Sequence, residues 1–105
     1  MPPYALILDD HPLVARGMAE FLRAVLPDTE VLALDSVHSL QQTLTQRGEP
    51  RLAVVDFWLA EGAALSVLQA LRLHCPGTPV AVVSGDDDPK IIERVRAAGA
   101  RGFLH

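Results

Sequence analysis

Arg51-Leu52-Ala53-Val54-Val55-Asp56 is a nearly unbroken apolar run that ends on a carboxylate. A strand with one face in water alternates polar and apolar residues; a run without alternation suits a strand covered on both faces. Two other stretches have the same form. Ala5-Leu6-Ile7-Leu8 runs into Asp9 and Asp10, and Val80-Ala81-Val82-Val83 runs into Ser84 and Gly85. Short buried strands separated by helical patterns build a parallel sheet, and in an open sheet of that kind the ligand crevice lies outside the carboxyl ends of the strands. Asp9, Asp10, Asp56 and Ser84 are therefore predicted to meet at one rim.

Outward from these strands, the spacing predicts the rest of the chain. The first strand covers about Tyr4 to Leu8, and Pro12 suits the first turn of a helix that ends by Pro27, with Val14, Met18, Phe21, Leu22 and Val25 as its apolar face. Glu30 to Leu34 reads as a second, shorter strand. Ser36 is a candidate N-cap for a helix to about Gln46 that carries Val37, Leu40 and Leu44 and stops before Gly48. This helix is the least apolar and is expected at an edge. A third helix presents Leu65, Val67, Leu68 and Leu71 and stops near His74, ahead of Pro76-Gly77. Asp88-Pro89 starts a fourth, with Ile91, Ile92, Val95 and Ala98, and Gly99 to Gly102 lead into a last strand at Phe103-Leu104. The sum is βαβαβαβαβ, an α/β doubly wound sheet with right-handed crossovers.

Composition agrees with one domain over residues 1–105. Half of the 105 residues are apolar, enough for a sizeable core. No stretch approaches the roughly 18 apolar residues of a membrane span, and Met1-Pro2-Pro3-Tyr4 lacks the basic start of a signal peptide, so a cytoplasmic protein without membrane contact is expected. The formal net charge of −4 argues against nucleic acid binding through this domain. The single cysteine, Cys75, beside the Pro76-Gly77 turn, reads as a small buried residue.

Carboxylates crowded at one rim repel one another and persist ionised only when a cation joins them. Oxygen donors at a partly open site suit Mg²⁺, which keeps several waters; zinc is disfavoured, because His11, His38, His74 and His105 have no ligand spacing with Cys75. A phosphoryl group would fit beside such an ion. The Ser84 hydroxyl and backbone N–H groups after Asp56 and Ser84 could donate to it, and Asp56 could be the nucleophile. Structural roles compete with these: strand termination and helix capping for Asp9 and Asp10, a turn for Ser84-Gly85, a loop position for His11, core packing for Phe103. Asp86-Asp87-Asp88 reads as a solvated loop and cap, since consecutive aspartates do not match the ligand spacing of a calcium loop.

Leu6-Ile7-Leu8-Asp9-Asp10-His11-Pro12, Val54-Val55-Asp56, Val82-Val83-Ser84-Gly85 and Gly99-Ala100-Arg101-Gly102-Phe103-Leu104, in this order, resemble the receiver domain of two-component response regulators, most closely the LuxR type. The resemblance implies a flavodoxin-like fold with strand order 2-1-3-4-5. It further implies that Asp56 accepts phosphate from a sensor histidine kinase. Asp10 would hold Mg²⁺ directly with Asp56 and the backbone carbonyl of Trp58, and Asp9 largely through water. Ser84, with Gly85 beside it, would contact the phosphoryl group, and Phe103 would be the aromatic switch that follows Ser84 inward.

Three positions depart from the family pattern. Ala60 stands where receivers carry proline and Ala64 where they carry glycine, with Gly62 a possible source of loop flexibility. The family's lysine would fall one residue past His105. With the fifth helix also missing from the chain, one sheet face is expected to be covered by the first helix alone and to expose apolar surface. A longer regulator with a DNA-binding helix-turn-helix domain downstream is the favoured explanation, and homodimerisation or exchange through that face the second. The leading function is a phosphorylation-controlled, non-enzymatic switch. A degenerate receiver serving as a phosphorylation-independent interaction module is the alternative, and an aspartate-based phosphohydrolase ranks last, because Trp58 stands where it would need a second acid.

Overall fold

A computed structural model describes residues 3–57, 64–85 and 88–104. The elements follow in the order β1 (Tyr4–Leu8), α1 (Pro12–Val25), β2 (Glu30–Leu34), α2 (Val37–Arg47), β3 (Leu52–Asp56), α3 (Ala64–His74), β4 (Val80–Val83), α4 (Pro89–Ala97) and β5 (Gly102–Leu104). The five strands form one parallel sheet in the order β2-β1-β3-β4-β5. This is the order that the receiver resemblance implies, and burial follows it strand by strand. All five residues of β1 are buried and so are the last four of β3, two of the three strands whose runs show no polar alternation; in the third, β4, Val80 and Val82 are buried and Ala81 and Val83 intermediate. The edge strands carry exposed residues, Glu30 and Ala33 in β2 and Gly102 and Leu104 in β5.

Helix boundaries follow local chemistry. The Ser36 hydroxyl accepts from the backbone N–H of Ser39 at 3.1 Å, and Asp88 accepts from that of Lys90 at 2.9 Å, each satisfying a donor that the first turn leaves without an intrahelical partner. Pro12 and Pro89 sit in first turns, where the missing N–H costs nothing. Gly48 ends α2 at φ 77°, a left-handed conformation that residues with a Cβ adopt only under strain.

The core lies in two parts. A large cluster joins Leu6, Leu8, Val55 and Val82 of the sheet to Leu40 of α2, Leu68 and Leu71 of α3, and Ile91 and Val95 of α4. A small one on the opposite face joins Ile7, Val31 and Val54 to Ala19 and Leu22 of α1. α1 corrects the sequence expectation. Its buried stripe is Ala15, Ala19 and Leu22, whereas Val14, Phe21 and Val25 are about half exposed or more, and Met18 is intermediate. Alanine lets the helix approach the sheet closely, and the larger apolar residues point along a face that no other described helix covers.

Candidate metal and phosphoryl site

The sheet's ladder hydrogen bonds continue past the strand ends. Asp9 N–H donates to the Leu34 carbonyl at 3.0 Å, Phe57 N–H to Val83 at 2.9 Å, and Ser84 N–H to Leu104 at 2.9 Å. These bonds fix three strand ends side by side. Asp56 pairs with Val83 in register, so Ser84 follows one residue beyond its partner, and Leu8, paired with Val55, delivers Asp9 and Asp10 to the same rim.

Asp9, Asp10, Asp56 and His11 each bring one ligand atom to a group in which all such atoms lie within 4.8 Å of one another. The predicted carboxylate cluster is therefore present. Asp9 is buried at 3% exposure and Asp56 at 8%, while Asp10 is intermediate. The sequence places His11 in a loop beside the site, yet its Nδ1 lies 2.7 Å from Asp9 Oδ1, 3.2 Å from Asp10 Oδ1 and 3.2 Å from Asp56 Oδ2. Its backbone N–H also donates to Asp9 Oδ1 at 2.8 Å. The Asp9 side chain bonded to the ring holds the imidazole above the ordinary histidine range; desolvation opposes this and the charges of Asp9, Asp10 and Asp56 reinforce it. His11, with extended backbone angles, occupies the N-cap position of α1, so neither Asp9 nor Asp10 serves as that cap. The sequence signal for its placement is Pro12, whose fixed φ sets the helix start immediately after it.

Ser84 is buried at 2% exposure at the end of β4, and Gly85 beside it is exposed. Phe103 pairs with Val82 in register and packs, partly buried, against the large cluster. Trp58, Ala60, Gly62 and His105, singled out in the sequence, lie outside the described residues. The donor set suits a hard divalent cation: three carboxylates converge at one rim, beside the exposed His11. Among the described residues no helix is long and apolar enough to cross a membrane.

The model of the response regulator receiver domain matches residues 5–105. The chain belongs to that family. It is 33% identical over 100 residues to the transcriptional activator protein ExaE of Pseudomonas putida, covering 94% of this chain and 46% of ExaE. The signal receiver domain of a DNA binding response regulator protein (merR) from Colwellia psychrerythraea 34H superposes with a TM-score of 0.87 at 16% identity, over 96% of this chain and 83% of that one, a likeness of fold alone. A LuxR family DNA-binding response regulator from Silicibacter pomeroyi has a TM-score of 0.79 at 26% identity, over 97% of this receiver and 77% of that chain. The receiver spans about half the length of the curated relatives it matches.

Proposed function

We propose that this receiver is a phosphorylation-controlled switch in which Asp56 accepts a phosphoryl group from a histidine kinase and the change is passed to dimerisation or to a transcriptional output domain. The observation that carries the reading is the convergence of Asp9, Asp10 and Asp56 within 4.8 Å at the carboxyl rim of a receiver sheet. Asp10 and Asp56 would hold Mg²⁺ with the backbone carbonyl of Trp58, and Asp9 would support it through water. When bound, the ion supplies neutralisation of the phosphoryl oxygens and of the carboxylates around them.

In the transfer an Asp56 carboxylate oxygen attacks phosphorus and forms the new O–P bond. The bond from phosphorus to the donor breaks, its electron pair leaves on the donor nitrogen or oxygen, and a donor imidazole recovers a proton from water. Asp9 and Asp10 keep the rim negative enough to retain a cation. The Ser84 hydroxyl, one residue beyond the strand partner of Asp56, would donate to a phosphoryl oxygen with the Gly85 backbone beside it, and Phe103 would fill space that a shift of Ser84 opens. The relatives' role as transcriptional regulators supports DNA binding through another domain of a longer protein.

Acetyl phosphate with Mg²⁺ tests the assignment. Intact-mass spectrometry is expected to show one added phosphoryl group on the wild-type protein and none on Asp56→Asn. Equal increments on both proteins would move the acceptor away from Asp56.

A further inference from the structure

Among the described residues of the carboxylate group, His11 is the one that the transfer does not use, and its ring stands where the ion is needed. A divalent cation of the Mg²⁺ class sits about 2.0–2.1 Å from its oxygen ligands, among the carboxylates that share it. Nδ1 is already within 3.2 Å of an oxygen from each of Asp9, Asp10 and Asp56. The Asp10 and Asp56 oxygens that face it are themselves buried. Ring nitrogen and cation cannot share that space.

We infer that the His11 ring is an internal occupant of the cation seat, which a divalent ion must displace before it binds. The inference rests on reading the carboxylate cluster as a cation site. It needs only an Nδ1–H, which both the imidazolium and one neutral tautomer supply. The geometry also provides a way out. The side chain is 57% exposed, and the backbone of His11 is anchored independently of the ring, by its N–H on Asp9 Oδ1 and by Pro12 at the start of α1. A rotamer change carries the ring into solvent without moving the helix. Because only the vacated fraction of the protein accepts the ion, a ring that fills the seat nine-tenths of the time weakens apparent affinity about tenfold.

Calorimetric Mg²⁺ titrations at one fixed pH and ionic strength test this on the wild type, His11→Ala and Arg16→Gln. Arg16 lines the groove beside Asp9 and Asp10, so its replacement removes a nearby positive charge while leaving the seat filled. His11 makes no side-chain cap bond, and thermal melts should show His11→Ala folded. The expected result is affinity about three- to thirtyfold tighter in His11→Ala, a much smaller change in Arg16→Gln, and Mg²⁺-dependent movement of the His11 ring ¹⁵N resonances in the wild type. Unchanged or weaker binding by His11→Ala, the latter marking the ring as a ligand, overturns the inference and leaves the cation site standing. An equal gain in Arg16→Gln overturns it in favour of a general charge effect. No Mg²⁺ binding by any of the three overturns both the inference and the cation site.

Discussion

Ser84 follows β4 directly and is buried, one residue beyond the register partner of Asp56. In the proposed switch its hydroxyl assists transfer without being the atom that reacts. Ser84→Ala should therefore slow phosphoryl uptake from acetyl phosphate by about ten- to a hundredfold and leave it detectable, the lower part of what one lost transition-state donor costs. The same variant should weaken any phosphorylation-dependent dimer by loosening the link to Phe103; a dimer of unchanged strength measured by light scattering would remove Ser84 from the switch. At this scale the sequence was most informative where chemistry and strand position coincide. Carboxylates at the ends of two neighbouring apolar runs converge on one rim of a parallel sheet, so Asp9 and Asp56 were legible. His11 was not, because its role depends on the distance between its ring and side chains 45 residues away in the case of Asp56, and nothing in local spacing encodes that.

The elements were legible wherever a terminus has its own chemical signature. Ser36, Gly48, Pro12 and Asp88-Pro89 each mark a helix end that the fold respects. The face of α1 was less legible, because spacing alone fits more than one apolar stripe, while close approach to the sheet selected alanine. Contacts between elements were invisible for the same reason. Arg47 at the end of α2 reaches Glu30 at the start of β2 with two bonds, 2.9 and 3.1 Å, and lies 4.7 Å over the Tyr4 ring of β1. The Tyr4 hydroxyl in turn donates to the Gly48 carbonyl. The guanidinium hydrogen-bonded to Glu30 holds that carboxyl below its ordinary value of 4.5. A depressed carboxylate stabilises the fold above its unfolded pKa and loses that contribution as pH falls through the folded one. Glu30→Gln should thus melt slightly below the wild type at neutral pH, with a gap that closes as pH falls below about 4.5 and that shrinks in high salt. A gap that persists in acid would assign the effect to packing. The pair is partly exposed, so the difference is small.

Across the whole molecule the two faces of the sheet are unequal, and stability should be unequal with them. Three helices, α2, α3 and α4, build the large cluster, while α1 alone of the described helices builds the small one, next to exposed Phe21, Val25 and Leu104. The same truncation therefore costs more on one face. Leu68, 2% exposed, is enclosed by packed neighbours that cannot all close on a void; Leu22, 8% exposed, borders surface that can relax or admit water. Leucine-to-alanine changes in cores cost about 2–5 kcal/mol, rising with the cavity that remains. Leu68→Ala belongs near the top of that range and Leu22→Ala near the bottom, against a total of about 5–15 kcal/mol for a domain of this kind. Urea denaturation of both variants measures the difference as a shift in midpoint at similar slope. If Leu22→Ala loses as much as Leu68→Ala, the face beside α1 is as tightly closed as the other, and the asymmetry of the two clusters does not set how this receiver resists unfolding.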